Sequence, residues 1–283
     1  MQAFQPKITL NCSGRLLDLS KPLVMGILNI TPDSFYSGSR VSEIDSVLQK
    51  ADAMLKSGAI ILDIGGQSTR PGSIQIRAEE EWKRLEEVVA ELVKAFPKGF
   101  FSIDTYYGLV AENAMNKGFH LVNDVSAFED DAQMFEFLKL YKPAYIMMHK
   151  KGKIEEMQMN PTYDHVVLEI IDYFKSRLSI LHNIGLNDVV LDPGFGFGKN
   201  LQHNLQILKN LNAFSIFQLP VLAGLSRKKM LRDIAGVTVE NALNITTAAN
   251  MLALQNGAKI LRVHDVGAAM DVVKMFEAIN SIS

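Results

Sequence analysis

The chain predicts a (β/α)₈ barrel, the TIM-barrel architecture of the α/β class, preceded by an N-terminal β-hairpin. Three observations carry this expectation. Short apolar runs rich in β-branched residues alternate with segments whose apolar residues recur at helical spacing, the pattern of parallel strands with helices packed outside them. Eight such units in about 260 residues match the usual size of the barrel. Nearly every strand-like run ends in a polar or charged residue, and a barrel gathers its active site at the carboxyl ends of its strands. A doubly wound open sheet is the alternative, and the strand endings favour the barrel.

The elements follow in order. Residues about 5–20 read as a hairpin, with Ile8-Thr9-Leu10 and Leu16-Leu17-Asp18-Leu19 flanking a turn at Asn11-Cys12-Ser13-Gly14. Leu23–Asn29 is the first barrel strand. Ile44–Lys56 is the first helix, with Ile44, Val47, Leu48, Ala51 and Leu55 on one face and Gly58 as its stop. Ala59–Ile64 is the next strand, followed by a helix over Glu80–Phe96 that Pro97 closes. Strands then fall at Phe100–Ile103, Leu121–Val122, Ala144–Met148, Val189–Leu191, Leu219–Ala223 and Ile260–Val263. The intervening helices fall near 107–117, 131–140, 163–183, 201–211, 240–255 and 266–279. Without a linker or low-complexity stretch, residues 1–283 read as a single domain, the hairpin in 1–20 and the barrel in 23–283.

Composition narrows the function. A net charge of −2 argues against nucleic acid or a membrane surface as partner. One cysteine, Cys12, excludes an intrachain disulfide framework and suits a reducing compartment. The first residues lack a signal-peptide pattern and no apolar run is long enough to span a bilayer, so the expected location is cytoplasmic.

The strand endings supply the chemistry. Strand one ends in Asn29, two in Asp63, three in Asp104, four in Asn123-Asp124, five in Met148-His149 and six in Asp192. Strand seven leads into Ser226-Arg227-Lys228, and eight carries Arg262 and His264. Any one of these could be a cap or turn residue, but capping alone does not explain so many on one rim. They sort into two groups. Asp104, Asn123 and Asp192 suit a neutral ring with several N–H donors. Thr69, Arg70, Arg262 and His264, with Asn29 beside them, suit a phosphate or diphosphate. The loops Ile30–Val41 and Gly65–Ile76, rich in glycine, serine and proline, leave the strand ends beside that anion site and are read as closing over a substrate.

The run Asp192-Pro193-Gly194-Phe195-Gly196-Phe197-Gly198-Lys199 resembles a phosphate cradle at first sight. Its glycines alternate strictly, however, and match neither the dinucleotide fingerprint nor the P-loop. The stretch is better read as the turn that exposes Asp192 to a ring and sets Phe197 beside a second substrate. One phenylalanine of the alternating pair is expected to pack inward.

From Leu23 onward the chain resembles the dihydropteroate synthase family of pterin-binding barrels. The resemblance rests on Asn29-Ile30-Thr31-Pro32-Asp33-Ser34-Phe35, on Asp63-Ile64-Gly65-Gly66-Gln67-Ser68-Thr69-Arg70-Pro71-Gly72 and on Ser102-Ile103-Asp104-Thr105. It continues through Asn123-Asp124-Val125-Ser126, the Asp192 run, Ser226-Arg227-Lys228 and Arg262-Val263-His264-Asp265. Gln67 stands where the family usually has Glu, and Ala127 where Gly commonly follows the Asn-Asp-Val-Ser run.

The resemblance implies a transferase of folate biosynthesis, a sulfonamide target, joining (7,8-dihydropterin-6-yl)methyl diphosphate to 4-aminobenzoate with release of diphosphate. It implies that the pterin lies against Asp104, Asn123, Asp192 and Lys228. The diphosphate would be held by Asn29, Thr69, Arg262 and His264, with Mg²⁺ on Asn29, Asp33 supporting the metal and Arg70 reaching in on loop closure. The aminobenzoate would lie against Pro71, Phe197, Lys228 and Ser226. Asp104, Lys228, Arg262 and His264 are the residues it places in the chemistry. The expected partners are these small molecules and a second copy of the chain, with 240–255 and 266–279 as candidate interface helices. The rival readings are a methyltetrahydrofolate methyltransferase domain and a non-catalytic pterin-binding paralogue. The first leaves Ser68-Thr69-Arg70-Pro71-Gly72 and Ser226-Arg227-Lys228 without a purpose, and intact Asn29, Lys228, Arg262 and His264 argue against the second.

Overall fold

The computed structural model describes residues 8–30, 40–67, 75–153 and 156–282. Eight parallel strands close into a barrel: β3 (Leu23–Asn29), β4 (Ile61–Gly65), β5 (Phe100–Asp104), β6 (Leu121–Asp124), β7 (Ala144–Met148), β8 (Val189–Asp192), β9 (Val221–Ala223) and β10 (Ala258–Val263), with β10 pairing back onto β3. The separate hairpin is β1 (Thr9–Cys12) and β2 (Arg15–Asp18), turning through Ser13 and Gly14. The open-sheet alternative is excluded by closure of the ring.

Helices α1 (Arg40–Lys56), α2 (Ala78–Ala95), α3 (Gly108–Asn116), α4 (Ala132–Tyr141), α5 (Val166–Asn183), α6 (Leu201–Lys209), α8 (Leu243–Gln255) and α9 (Val266–Asn280) occupy the expected places. Two features differ from expectation. The helix after strand six stops at Lys209 and continues as a 3₁₀ segment over Leu211–Phe217. A short extra helix, α7 (Lys229–Ala235), precedes α8 and ends on Gly236 in the left-handed region. Seven residues are too few for a helical apolar repeat to stand out from the surrounding sequence.

Strand periodicity decides what faces the barrel interior. At the amino ends, Met25, Ile61, Leu121, Ala144, Ile146, Val190, Leu222 and Ile260 form one buried cluster with Leu10, Cys12, Leu17 and Leu19 of the hairpin region. The hairpin therefore plugs the bottom of the barrel. Arg15 latches it by donating to the carbonyls of Gly99 (2.8 Å) and Lys98 (2.6 Å), with its guanidinium 4.2 Å over the Phe100 ring. The alternate strand residues, among them Leu62, Ile64, Ile103, Val122 and Leu191, face outward into the layer between strands and helices. Two residues further along the inward series the polar groups begin: Ile61 is followed by Asp63, Leu121 by Asn123, Val190 by Asp192 and Ile260 by Arg262. Among the described residues no helix is long and apolar enough to cross a membrane.

Candidate active site

The carboxyl ends of β4, β5, β6 and β10 meet at a single carboxylate. Asp63, fully buried on β4, accepts through Oδ2 from Arg262 Nε at 2.5 Å and from Asn123 Nδ2 at 2.8 Å. Arg262 Nη2 donates in turn to Asp104 Oδ2. One guanidinium thus joins two carboxylates on adjacent strands, and Asn123 is oriented through the first of them. Burial works against the Arg262 charge, but Asp63 and Asp104 outweigh it and hold the guanidinium above its ordinary range.

Asp104 is pushed up to about 7, first by burial and then by the charges of Asp63, Asp124 and Asp192, against the opposing pull of Arg262. Its Oδ1 is buried and has no hydrogen-bond partner among the described residues. The same is true of Asp63 Oδ1. Buried carboxylate oxygens without donors are costly, and a ligand carrying ring N–H groups would satisfy them.

Asp192 ends β8 in the expected position. Its Oδ1 accepts from Gly194 N at 2.7 Å, and its Oδ2 and Lys228 Nζ both lie 3.9 Å from where a Cβ on Gly224 would stand. Burial raises the Asp192 carboxyl, and Lys228 pulls it back. Burial also brings Lys228 down to about 8. Lys228 Nζ donates to the Phe195 carbonyl and lies 4.9 Å from the centre of the Phe197 ring. The phenylalanines divide as expected: Phe195 is core, while Phe197 is half-buried beside Met148, Val125 and Tyr106 at the barrel mouth. Lys229, next in sequence, is exposed and pairs with Asp233 on its own helix.

Ser226 and His264 form a second polar group just beyond the ends of β9 and β10. Ser226 Oγ lies 2.9 Å from His264 Nδ1 and accepts from His264 N at 3.2 Å. The two chain segments are tied by Arg227, in the left-handed region, which forks onto both Asp265 oxygens at 2.9 and 2.7 Å. Asn29 is exposed at the end of β3 and pairs in register with Gly65, which packs directly against Asp104. Thr69, Arg70, Pro71 and Asp33 lie outside the described residues.

Arg262 differs from its expected grouping. The sequence places it with the anion-binding cations, whereas its guanidinium lies between Asp63 and Asp104. The cause is tertiary: two inward carboxylates on adjacent strands need a cation, and Arg262 on β10 reaches both. Asp124 is sorted away from its neighbour Asn123. It faces outward and is saturated by Ser126 N, Ser126 Oγ, Phe128 N and the Tyr145 hydroxyl at 2.6–2.8 Å. That turn puts Ala127 at φ 48°, which accounts for glycine being common there.

Sequence reasoning left three residues out of the site. Asp63 shares the inward parity of Ile61, so strand period could have found it. Glu81 on α2 is buried, accepts from Thr105 Oγ1 at 3.1 Å and is raised to about 7 chiefly by burial. Lys199 is buried behind the glycine-rich turn. Nothing in a Gly-Lys-Asn sequence signals that.

Among the described residues no three His, Cys, Asp or Glu side chains converge as a metal cage. Asn29 offers one neutral oxygen. That donor suits Mg²⁺, which keeps most of its water and is commonly bound through substrate phosphates. A groove of about 420 Å³ between α3 and α4, lined by Leu109, Phe137 and Tyr141 among others, lies outside the barrel and away from these groups.

Comparison with known proteins bears on this arrangement. The pterin binding enzyme family matches residues 25–264. Dihydropteroate synthase of Haemophilus influenzae is 40% identical over 271 residues, covering 95% of this chain and 98% of that one. Dihydropteroate synthase of Yersinia pestis, solved in complex with a sulfonamide drug, superposes with a TM-score of 0.90 at 38% identity, covering 96% of this chain and 99% of the other. The Xanthomonas albilineans enzyme, solved with 4-aminobenzoic acid, also gives 0.90, at 35% identity, with 98% and 99% covered. The chain belongs to the dihydropteroate synthase family of pterin-binding enzymes.

Proposed function

We propose that this protein is a transferase that condenses (7,8-dihydropterin-6-yl)methyl diphosphate with 4-aminobenzoate, giving 7,8-dihydropteroate and diphosphate. The observation that carries the reading is the unpartnered Oδ1 of Asp104, set beside Asn123 and Arg262 at the barrel mouth. A pterin presents several N–H donors on one edge, and Asp104, Asp192 and Asn123 are the acceptors and donor that would line that edge.

In the reaction the methylene C–O bond breaks, diphosphate leaves with the electron pair, and the arylamine nitrogen forms the new C–N bond and sheds a proton. The carboxylate of Asp104 favours positive charge on the ring as the C–O bond lengthens. His264 and Ser226 would face the departing diphosphate together with Thr69 and Arg70. Asn29 would help hold Mg²⁺, which would supply further positive charge to the departing diphosphate. Lys228, between Asp192 and the Phe197 ring, borders both substrates, with the aminobenzoate against Phe197, Pro71 and Ser226. The 4-aminobenzoic acid complex of the Xanthomonas relative supports that second subsite.

Exposed Leu252 on α8 and Met275 and Ile279 on α9 support a homodimer through these helices. The use of a single cysteine, the buried Cys12, supports a cytoplasmic location. The direct test is diphosphate release by the pure protein. Release that requires both substrates and Mg²⁺ is expected. No release with all three present would favour a non-catalytic pterin binder, and methyl transfer from methyltetrahydrofolate would favour the methyltransferase reading.

A further inference from the structure

The turn from Asp192 to Lys199 is held from behind by its own last residue. Lys199 Nζ donates to the carbonyls of Gly194 and Phe197, both at 2.9 Å, and lies 3.0 Å from His149 Nδ1 and 3.3 Å from His149 O. The residue is only 3% exposed, so water contributes little to its solvation. Burying a lysine is costly unless its donors are matched, and a leucine would fill the same space without that cost. Burial pulls the amine well below the ordinary lysine range, with Asp192 pulling the other way. Two N–H donors survive in either protonation state, enough for the two shortest bonds.

The surrounding backbone leaves no slack. A Cβ on Gly194 would stand 1.9 Å from His149 O, and one on Gly198 would stand 2.3 Å from Lys151 O. Both glycines have positive φ, and the turn packs directly on the backbone that follows β7. Asn204 of α6 completes the frame by accepting from Gly196 N at 2.8 Å and donating to Lys199 O at 3.3 Å.

The two functional side chains of this turn depend on that frame unequally. Asp192 is still within β8, paired with Met148, and His149 N donates to its carbonyl at 2.9 Å. Phe197 lies beyond the sheet. Its backbone is held by Lys199 at the carbonyl and by a 3.1 Å bond from its N–H to Gly194 O.

We propose that Lys199 is a positioning residue for the aminobenzoate subsite, fixing the turn so that the Phe197 ring faces the barrel mouth beside Lys228. This rests on the reading that Phe197 borders that substrate. Steady-state kinetics with both substrates on the full chain test it, using Lys199→Met, Phe197→Ala and the double variant, with melting curves recorded alongside. Lys199→Met is expected to raise KM for 4-aminobenzoate roughly 10-fold, the loss of about one hydrogen bond's worth of order, and to change KM for the pterin diphosphate less than about 3-fold. In the Phe197→Ala background it should add less than about 2-fold, because the group it positions is gone. Equal rises in both KM values, full additivity, or an unchanged aminobenzoate KM in folded Lys199→Met would overturn the proposal. An unchanged aminobenzoate KM in Phe197→Ala alone would instead remove the subsite on which it rests. Where Lys199→Met fails to fold, Asn204→Ala releases Gly196 N of the same turn and must show the same selective rise; its absence overturns the proposal.

Discussion

The two ends of the barrel are built from the same eight strands and have opposite chemistry. At the amino ends the inward residues are Met25, Ile61, Leu121, Val190 and Ile260, sealed under Leu10, Leu17 and Leu19. One pleat further along they are Asp63, Asn123, Asp192 and Arg262, with Asp104 beside them on β5. The apolar end is closed by packing of its own side chains. At the polar end, Asp63 Oδ1 and Asp104 Oδ1 are buried without partners among the described residues. On the proposed function the apolar end serves stability alone and the polar end would also take the ligand, a change of role over two residues.

Arg262→Ala should strain that division most, because this residue serves both ends of the ledger. It leaves Asp63 and Asp104 as uncompensated buried carboxylates, so a stability loss of about 3–5 kcal/mol is expected in chemical denaturation. Affinity should fall for the pterin diphosphate and for a pterin lacking phosphate alike. Sparing of the phosphate-free pterin would return Arg262 to the anion group where sequence alone puts it.

Leu10→Ala probes the opposite end. A fully buried leucine in the plug should cost about 2–5 kcal/mol, read by denaturant midpoint, with KM values unchanged in the folded protein. A matching loss of substrate affinity would show that the two ends are coupled. Arg15→Ala, which frees the hairpin latch, should act the same way at about 1–2 kcal/mol.

A further effect concerns pH. Glu81 is raised from 4.5 to about 7, so the folded chain holds its proton where the unfolded chain has released it. Stability from this group is full below about pH 4.5 and is lost as pH rises through about 7. Asp104, also near 7, titrates in the same direction. Glu81→Gln should therefore shrink, without abolishing, the fall in melting temperature between acidic and mildly alkaline buffer. A steeper fall in the variant would contradict the assignment.

Much of this was legible in the sequence because it depends on local rules. The barrel followed from alternation, and Asp104, Asn123 and Asp192 from the way apolar runs ended. The division of Phe195 from Phe197 followed from strict alternation beyond a strand. Side-chain pairing was not legible. Arg262 sits with carboxylates because Asp63 and Asp104 come from neighbouring strands, a contact between residues far apart in sequence. Lys199 looks like a solvated lysine until the turn folds back over it. Asp63 lay between these cases: its inward parity was readable, its use as a junction for Arg262 and Asn123 was not.

On the proposed function, ligand binding belongs to the polar end alone. Calorimetric titration of a phosphate-free pterin into the wild type, Asp192→Ala and Leu10→Ala tests it most directly. Loss of two charge-assisted hydrogen bonds predicts an affinity about 100- to 10,000-fold weaker in Asp192→Ala, with Leu10→Ala binding as the wild type does below its melting temperature. Undiminished binding by Asp192→Ala would contradict the account.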